Sequence, residues 1–172
     1  MTSYKEKLNH IDTFLFDIDG VFTDGSVYIG DNEFVRKFNS KDSYSVQLAS
    51  KLGYKIFIIT GSTSESVKKA MLYLGCTDVI LGASNKVNSF QKLKENYNLD
   101  EKTCLYMGDD MPDLGLLKLV YLPTCPQDAV VDVKEICAYQ SPYLGGLGCV
   151  RDIIEQTLRV QGKWDKNGNH EW

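Results

Sequence analysis

Phe14-Leu15-Phe16-Asp17-Ile18-Asp19-Gly20-Val21-Phe22-Thr23-Asp24-Gly25 joins an apolar run to a cluster of carboxylates and glycines. From Ile11 to Ile18 the run is broken only by acids and Thr13, the composition of a strand buried on both faces. Residues two apart on a strand point to the same side, so Asp17 and Asp19 face one spot at its carboxyl end. Ligands bind at such ends in open α/β sheets. Two carboxylates held together repel and require a cation or a shared proton. Oxygen donors suit magnesium. Taken alone, Asp-x-Asp-Gly is equally the composition of a turn, so the other strand ends decide between the two.

Downstream, Val27-Tyr28-Ile29 and Phe34 to Phe38 flank Gly30-Asp31-Asn32-Glu33, which predicts a β-hairpin over about 25–38. A lone two-stranded hairpin is marginal in water and needs a surface to pack on. Ser40 to Ser43 can cap a helix from about Tyr44 to Leu52. Tyr54 to Thr60 reads as a second buried strand ending in Gly61-Ser62, and Glu65 to Leu74 as a helix. Asp78 to Leu81 is a third strand, followed by a helix over Asn85 to Tyr97 that carries Lys86. Thr103 to Met107 is a fourth strand ending in Gly108-Asp109-Asp110, and Met111-Pro112-Asp113 opens another helix. A short strand at Val120–Leu122, a helix over Ala129 to Ile136, a Gly145-Gly146-Leu147-Gly148 loop, a last helix from Val150 to Gln161 and a polar tail over about 162–172 complete the chain. Strands alternating with helices predict one domain: an α/β fold with a doubly wound parallel sheet, Rossmann-like.

That topology delivers Asp17, Asp19, Thr60, Gly61, Lys86, Asp109, Asp110 and Asp113 to one edge of the sheet. Carboxylates for a metal, hydroxyl and amide donors and a cation are the parts phosphoryl transfer needs. At 172 residues, 43% hydrophobic and 24% charged, with a net charge of −4, the chain has an adequate core but no basic face for nucleic acid and no polybasic membrane anchor. No apolar run approaches the ~20 residues of a membrane helix. The polar N-terminus lacks a signal-peptide core. Cys76, Cys104, Cys125, Cys137 and Cys149 are scattered, which points to reduced thiols and a cytoplasmic location. His10 and His170 stand outside the motifs.

Asp17-x-Asp19-Gly-Val-x-Thr-Asp24, Ile59-Thr60-Gly61, Lys86 and Gly108-Asp109-Asp110-x-x-Asp113 resemble the four motifs of the haloacid dehalogenase superfamily. Gly20 to Gly25, Phe38-Asn39 with Asp42, the Gly82-to-Lys86 loop and Gly145-Gly-x-Gly with Val150-Arg151 narrow the resemblance to the 3-deoxy-D-manno-octulosonate 8-phosphate (KDO 8-phosphate) phosphatases of lipopolysaccharide precursor synthesis. The resemblance implies a phosphoric monoester hydrolase working through an aspartyl-phosphate. Asp17 would be the nucleophile and Asp19 the acid and base. Asp17, the backbone carbonyl of Asp19, and Asp109 would hold Mg2+. Thr60 and the Gly61 amide would grip the phosphate, Lys86 would neutralise charge, and Asp110 and Asp113 would support the ligands from behind. Asp42, Ser62, Lys41 and Arg151 are possible substrate contacts. Ser62 and Ser43 depart from the pattern, where many relatives carry Arg and Gly.

Nine-carbon keto-acid phosphates are the alternative substrates, although the Glu and Lys of that group are missing at Ser62 and near Tyr73. A receiver-like phospho-acceptor is the non-catalytic alternative, and Asp19 argues against it. The gaps between Asp19 and Thr60 and between Lys86 and Gly108 are too short for a cap domain of ~50 residues. The site would then be walled by other subunits, and the resemblance implies a homotetramer built on the hairpin, with the tail of one subunit, anchored by Trp164 or Trp172, over the site of another.

Overall fold

The structure, a computed structural model, describes residues 3–30 and 34–164. Its centre is β1 (Thr13–Phe16), with β4 (Lys55–Ile59) on one side and β6 (Cys104–Met107) on the other. β5 (Asp78–Ile80), β7 (Leu122–Cys125) and β8 (Tyr139–Gln140) extend these into a six-stranded sheet of order β5-β4-β1-β6-β7-β8, every pair parallel. Side chains alternate across the strands. Phe14, Phe16, Ile56, Ile58, Leu105 and Met107 fill one face, and Leu15, Phe57, Ile59 and Tyr106 the other.

Helices close both faces. α2 (Ser40–Lys51) and α7 (Cys149–Val160) cover the first face with Val46, Ala49, Ile153, Ile154 and Leu158, all fully buried. Each of the valine, isoleucine and leucine side chains contributes about 1.5–3 kcal/mol by leaving water. On the second face α4 (Lys86–Tyr97) contributes Phe90 and Leu93, α5 (Leu114–Leu117) Leu116 and Leu117, and α6 (Val131–Ile136) Val133. α3 (Glu65–Tyr73) follows β4, with Ser64 as its N-cap.

The expected doubly wound sheet is present, with four local differences. A short helix α1 (Tyr4–Leu8) precedes β1, closed by a Ser3/Glu6 capping box in a segment too short to show a period. α2 starts at Ser40 rather than near Tyr44, because Asn39 serves as its cap by accepting from the Lys41 N–H at 2.9 Å. β7 lies at Leu122–Cys125 rather than Val120–Leu122. Pro123 has no N–H to give to a neighbouring strand, but its carbonyl still accepts from the Ala138 N–H at 2.9 Å. β8 has two residues, too few to leave a pattern.

The hairpin forms from β2 (Tyr28–Ile29) and β3 (Phe34–Val35), with Tyr28 opposite Val35 and Ile29 opposite Phe34. Of its expected turn, Gly30 to Glu33, residues 31–33 lie outside the described residues. Its apolar side chains are not packed on the body: Ile29 is 83% exposed and Phe34 58%.

Candidate active site

β1 ends in Phe16, and Asp17 follows, its N–H donating to the Met107 carbonyl at 3.1 Å. The carboxyl end of β1 is thereby tied to that of β6, whose continuation is Gly108-Asp109. The chain then turns at Gly20 with φ +84, where a Cβ would lie 2.0 Å from Asp109 Oδ2. Only glycine lets the Asp109 carboxylate approach the first turn so closely. From behind, Gly145 packs on this turn, and a Cβ there would meet the Gly20 carbonyl oxygen at 2.0 Å. The Gly146 N–H donates to the Val21 carbonyl at 2.9 Å, so the glycine loop serves as the backing of the turn.

The ends of β4 and β5 bring the remaining groups. Thr60 follows β4 and is buried, its hydroxyl accepting from the Ser62 N–H at 3.2 Å. The Ala83 N–H donates to the Thr60 carbonyl and the Gly82 N–H to the Ser62 carbonyl, each at 2.9 Å. These bonds fix the loop that leads into α4, and Lys86 is the first residue of that helix. Its ammonium lies 2.7 Å from Asp17 Oδ2 and 2.5 Å from Asp113 Oδ1, and donates to the Tyr106 hydroxyl at 3.3 Å. Asp113 is fully buried and saturated: Oδ1 also accepts from the Tyr106 hydroxyl, while Oδ2 accepts from the N–H groups of Asp109 at 2.9 Å and Asp110 at 3.2 Å. Asp110 is exposed and caps the 3-10 turn Met111–Asp113, Oδ1 accepting from the Met111 N–H at 2.8 Å.

Asp17, Asp19, Thr60, Gly61, Ser62, Lys86, Asp109, Asp110 and Asp113 thus border one cavity of about 350 Å3. Carboxylate oxygens of Asp17, Asp109 and Asp113 lie within 4.8 Å of one another. Each Asp113 oxygen accepts two bonds, whereas each Asp17 oxygen accepts one, from the Ile18 N–H at 2.7 Å and from Lys86, so Asp17 and Asp109 are the donors with lone pairs left for a metal. Asp109 Oδ1 is buried without a partner, the state of a ligand atom shaped for a cation. The electrostatics agree. Burial, with like charge on Asp113 and Asp17, pushes the Asp109 carboxyl up to about 7. Burial lifts Asp17 to about 6 even against the attraction of Lys86. Burial pulls the Lys86 ammonium down, but Asp17 and Asp113 more than reverse this and hold it charged.

Three of the expected substrate contacts, Asp42, Lys41 and Arg151, are not brought to this cavity. Asp42 is fully buried, its oxygens accepting from the N–H groups of Gly148 at 3.2 Å and Arg151 at 2.7 Å, so it ties α2 to the first turn of α7. Lys41 and Arg151 border a separate cavity along α7. Arg151 pairs with Glu155 at 3.0 Å and stacks 5.1 Å from Trp164. Trp164 is therefore anchored on its own α7, and the rest of the expected tail, residues 165–172 with His170 and Trp172, lies outside the described residues.

Two groups at the site were not anticipated. Tyr106 sits inside an apolar strand, where nothing in the sequence separates it from core. Arg36 follows β3 and grips Asp19 with two bonds, Nε to Oδ1 at 2.7 Å and Nη2 to Oδ2 at 3.0 Å. The Arg36-Lys37 pair between Val35 and Phe38 was the available signal, and nothing in it singles out Arg36.

A parallel sheet with paired acids, a threonine, a lysine and a third acid at its strand ends defines the haloacid dehalogenase-like hydrolases, and residues 72–144 match the family of that description. The chain is 32% identical over 161 residues to the 3-deoxy-D-manno-octulosonate 8-phosphate phosphatase of Escherichia coli K12, covering 93% of this chain and 86% of that protein. It belongs to the 3-deoxy-D-manno-octulosonate 8-phosphate phosphatase family. The Moraxella catarrhalis phosphatase of the same name, solved with magnesium ion, phosphate ion and KDO, superposes with a TM-score of 0.88 at 26% identity, covering 92% of this chain and 91% of that one. The cobalt-bound Haemophilus influenzae enzyme superposes with a TM-score of 0.87 at 25% identity, covering 91% and 92%.

Proposed function

We propose that this chain is a magnesium-dependent phosphatase that hydrolyses 3-deoxy-D-manno-octulosonate 8-phosphate to the free sugar acid and phosphate. The observation that carries the reading is the pairing of a buried nucleophile candidate, Asp17, with Lys86 at 2.7 Å, beside the unpartnered oxygen of Asp109. Asp17 Oδ and Asp109, with the Asp19 carbonyl, would hold magnesium, which neutralises phosphate charge when bound.

Asp17 attacks phosphorus, and the bond to the sugar oxygen breaks as the aspartyl-phosphate forms. Asp19 delivers a proton to the departing oxygen and later takes one from the water that cleaves the intermediate. Thr60 and the Gly61 amide hold phosphate oxygens, and Lys86 offsets the charge between phosphate and nucleophile. Asp113 and Tyr106 fix Lys86, and Asp113 also fixes the Asp109-Asp110 backbone. A receiver-like role does not account for an acid at Asp19.

No helix among the described residues is long and apolar enough to cross a membrane. The exposed hairpin supports assembly as a homotetramer, in which neighbours wall the open site. The test of the activity is phosphate release from eight- and nine-carbon keto-acid phosphates with magnesium. We expect the eight-carbon compound to have the higher kcat/KM, EDTA to abolish turnover, and Asp17→Asn to lower activity by more than tenfold, a loss of over ~1.4 kcal/mol in transition-state stabilisation. Preference for a nine-carbon phosphate reverses the substrate assignment. An active Asp17→Asn enzyme overturns the mechanism.

A further inference from the structure

Beside the nucleophile cavity lies a second, of about 470 Å3, bordered by Phe34 and Arg36 of the hairpin and by residues 61–66. The two share Gly61 and Ser62, so the second is the natural place for whatever the phosphate is attached to. Its wall suits a polyol acid. Ser62, Thr63, Ser64 and Ser66 supply hydroxyls. It also contains the start of α3, a nine-residue helix whose first turn favours negative charge. Glu65, the one acid of the wall, is exposed and free to turn to water.

The remaining feature is Arg36. Its side chain is only 8% exposed, and Nε and Nη2 are engaged by Asp19, yet Nη1 is buried with no partner. An unpaired guanidinium nitrogen is costly, and a carboxylate is its natural complement. Among the residues bordering the two cavities, the cations are Lys86 and Arg36, and Lys86 is committed to Asp17 and Asp113. The site otherwise presents Asp17, Asp19, Asp109, Asp110 and Asp113 to a substrate that is itself an anion at both ends.

We propose that Arg36 determines specificity by receiving the carboxylate of the sugar acid through its Nη1 edge while its other edge stays on Asp19, with the start of α3 completing the anion site. The proposal rests on the phosphatase reading above and assigns the leaving-group end of the same site. One residue of the hairpin thereby touches both the acid of the reaction and the recognition group of the substrate.

The test compares Arg36→Met and Arg36→Lys with the wild type on the eight-carbon keto-acid phosphate and on D-arabinose 5-phosphate, a sugar phosphate with no carboxylate. Any effect transmitted through Asp19 falls on both substrates, whereas loss of a carboxylate contact falls on one. The expected result is a ratio of the two kcat/KM values that drops by about 10- to 100-fold in Arg36→Met, the weight of one charge-assisted contact, mainly through KM. Arg36→Lys should recover part of that ratio. Inhibition by the free eight-carbon sugar acid should weaken in parallel, while inhibition by inorganic phosphate should change much less. A ratio unchanged in both variants, or a phosphate inhibition that weakens as much as the sugar-acid inhibition, overturns the proposal. A wild-type enzyme that turns over no keto-acid phosphate overturns the underlying reading instead.

Discussion

Asp113 shows how a carboxylate can sit within reach of a metal and still not serve it. Its four accepted hydrogen bonds orient Lys86, Tyr106 and the Asp109-Asp110 backbone. Asp113→Ala should therefore cost about 3–5 kcal/mol in urea unfolding, the penalty for breaking a buried ion pair. The loss should be as large in EDTA as in magnesium. A cost confined to magnesium would identify a ligand, and a cost below ~1 kcal/mol would show that the network is dispensable. Gly20→Ala makes the complementary case: a Cβ 2.0 Å from Asp109 Oδ2 must displace that carboxylate, so magnesium affinity should fall at least tenfold, read by titration of activity. The carboxylates, Thr60 and Lys86 were legible in the sequence because their types and positions at strand ends carry chemistry. Tyr106 and Arg36 were not, because a hydroxyl in an apolar strand and a charge in a hairpin acquire their meaning only from what the fold sets opposite them. Asp42 misled for the converse reason, since a carboxylate that receives the first turn of a distant helix looks in sequence like any other acid.

At the scale of elements, the central strands and flanking helices were visible as apolar runs and helical spacings, while α1 and β8 were too short to leave a signal. The hairpin is the element whose environment the sequence left open. Ile29 and Phe34 face each other across its strands, 83% and 58% exposed, with Tyr28 and Val35 on the next pair. Covering such side chains is worth about 1.5–3 kcal/mol each, enough to drive association of several copies. The double variant Ile29→Lys/Phe34→Lys should have a lower mass in light scattering than the wild type at the same concentration. Because Arg36 follows the same strand, kcat/KM should fall with it. An unchanged mass for the variant would place the subunit interface elsewhere.

For the molecule as a whole, proton and metal equilibria are joined. Burial raises Asp17 and Asp42 to about 6 and Asp109 to about 7, well above the ordinary carboxylate range. Between about pH 4 and pH 7 the folded metal-free chain therefore holds more protons at these sites than the unfolded one, and their contribution to stability declines as pH rises through that window. Magnesium needs Asp17 and Asp109 ionised, so its binding releases protons and strengthens with pH. The increment in Tm caused by saturating magnesium should thus grow between pH 5 and pH 8, measured against EDTA at each pH. An increment flat across that range would mean that these carboxylates are already ionised in the free protein.

The place of β1 at the middle of the sheet has a consequence for synthesis on the ribosome. Thr13 pairs with Lys55 on one side and Cys104 on the other, so its second neighbour lies 104 − 13 = 91 residues later. At the usual pace of translation that interval is on the order of 5–20 s. Through it Phe14, Leu15 and Phe16 wait with one edge open, a template for wrong pairings. A nascent chain that stops short of Cys104 would expose the same edge permanently.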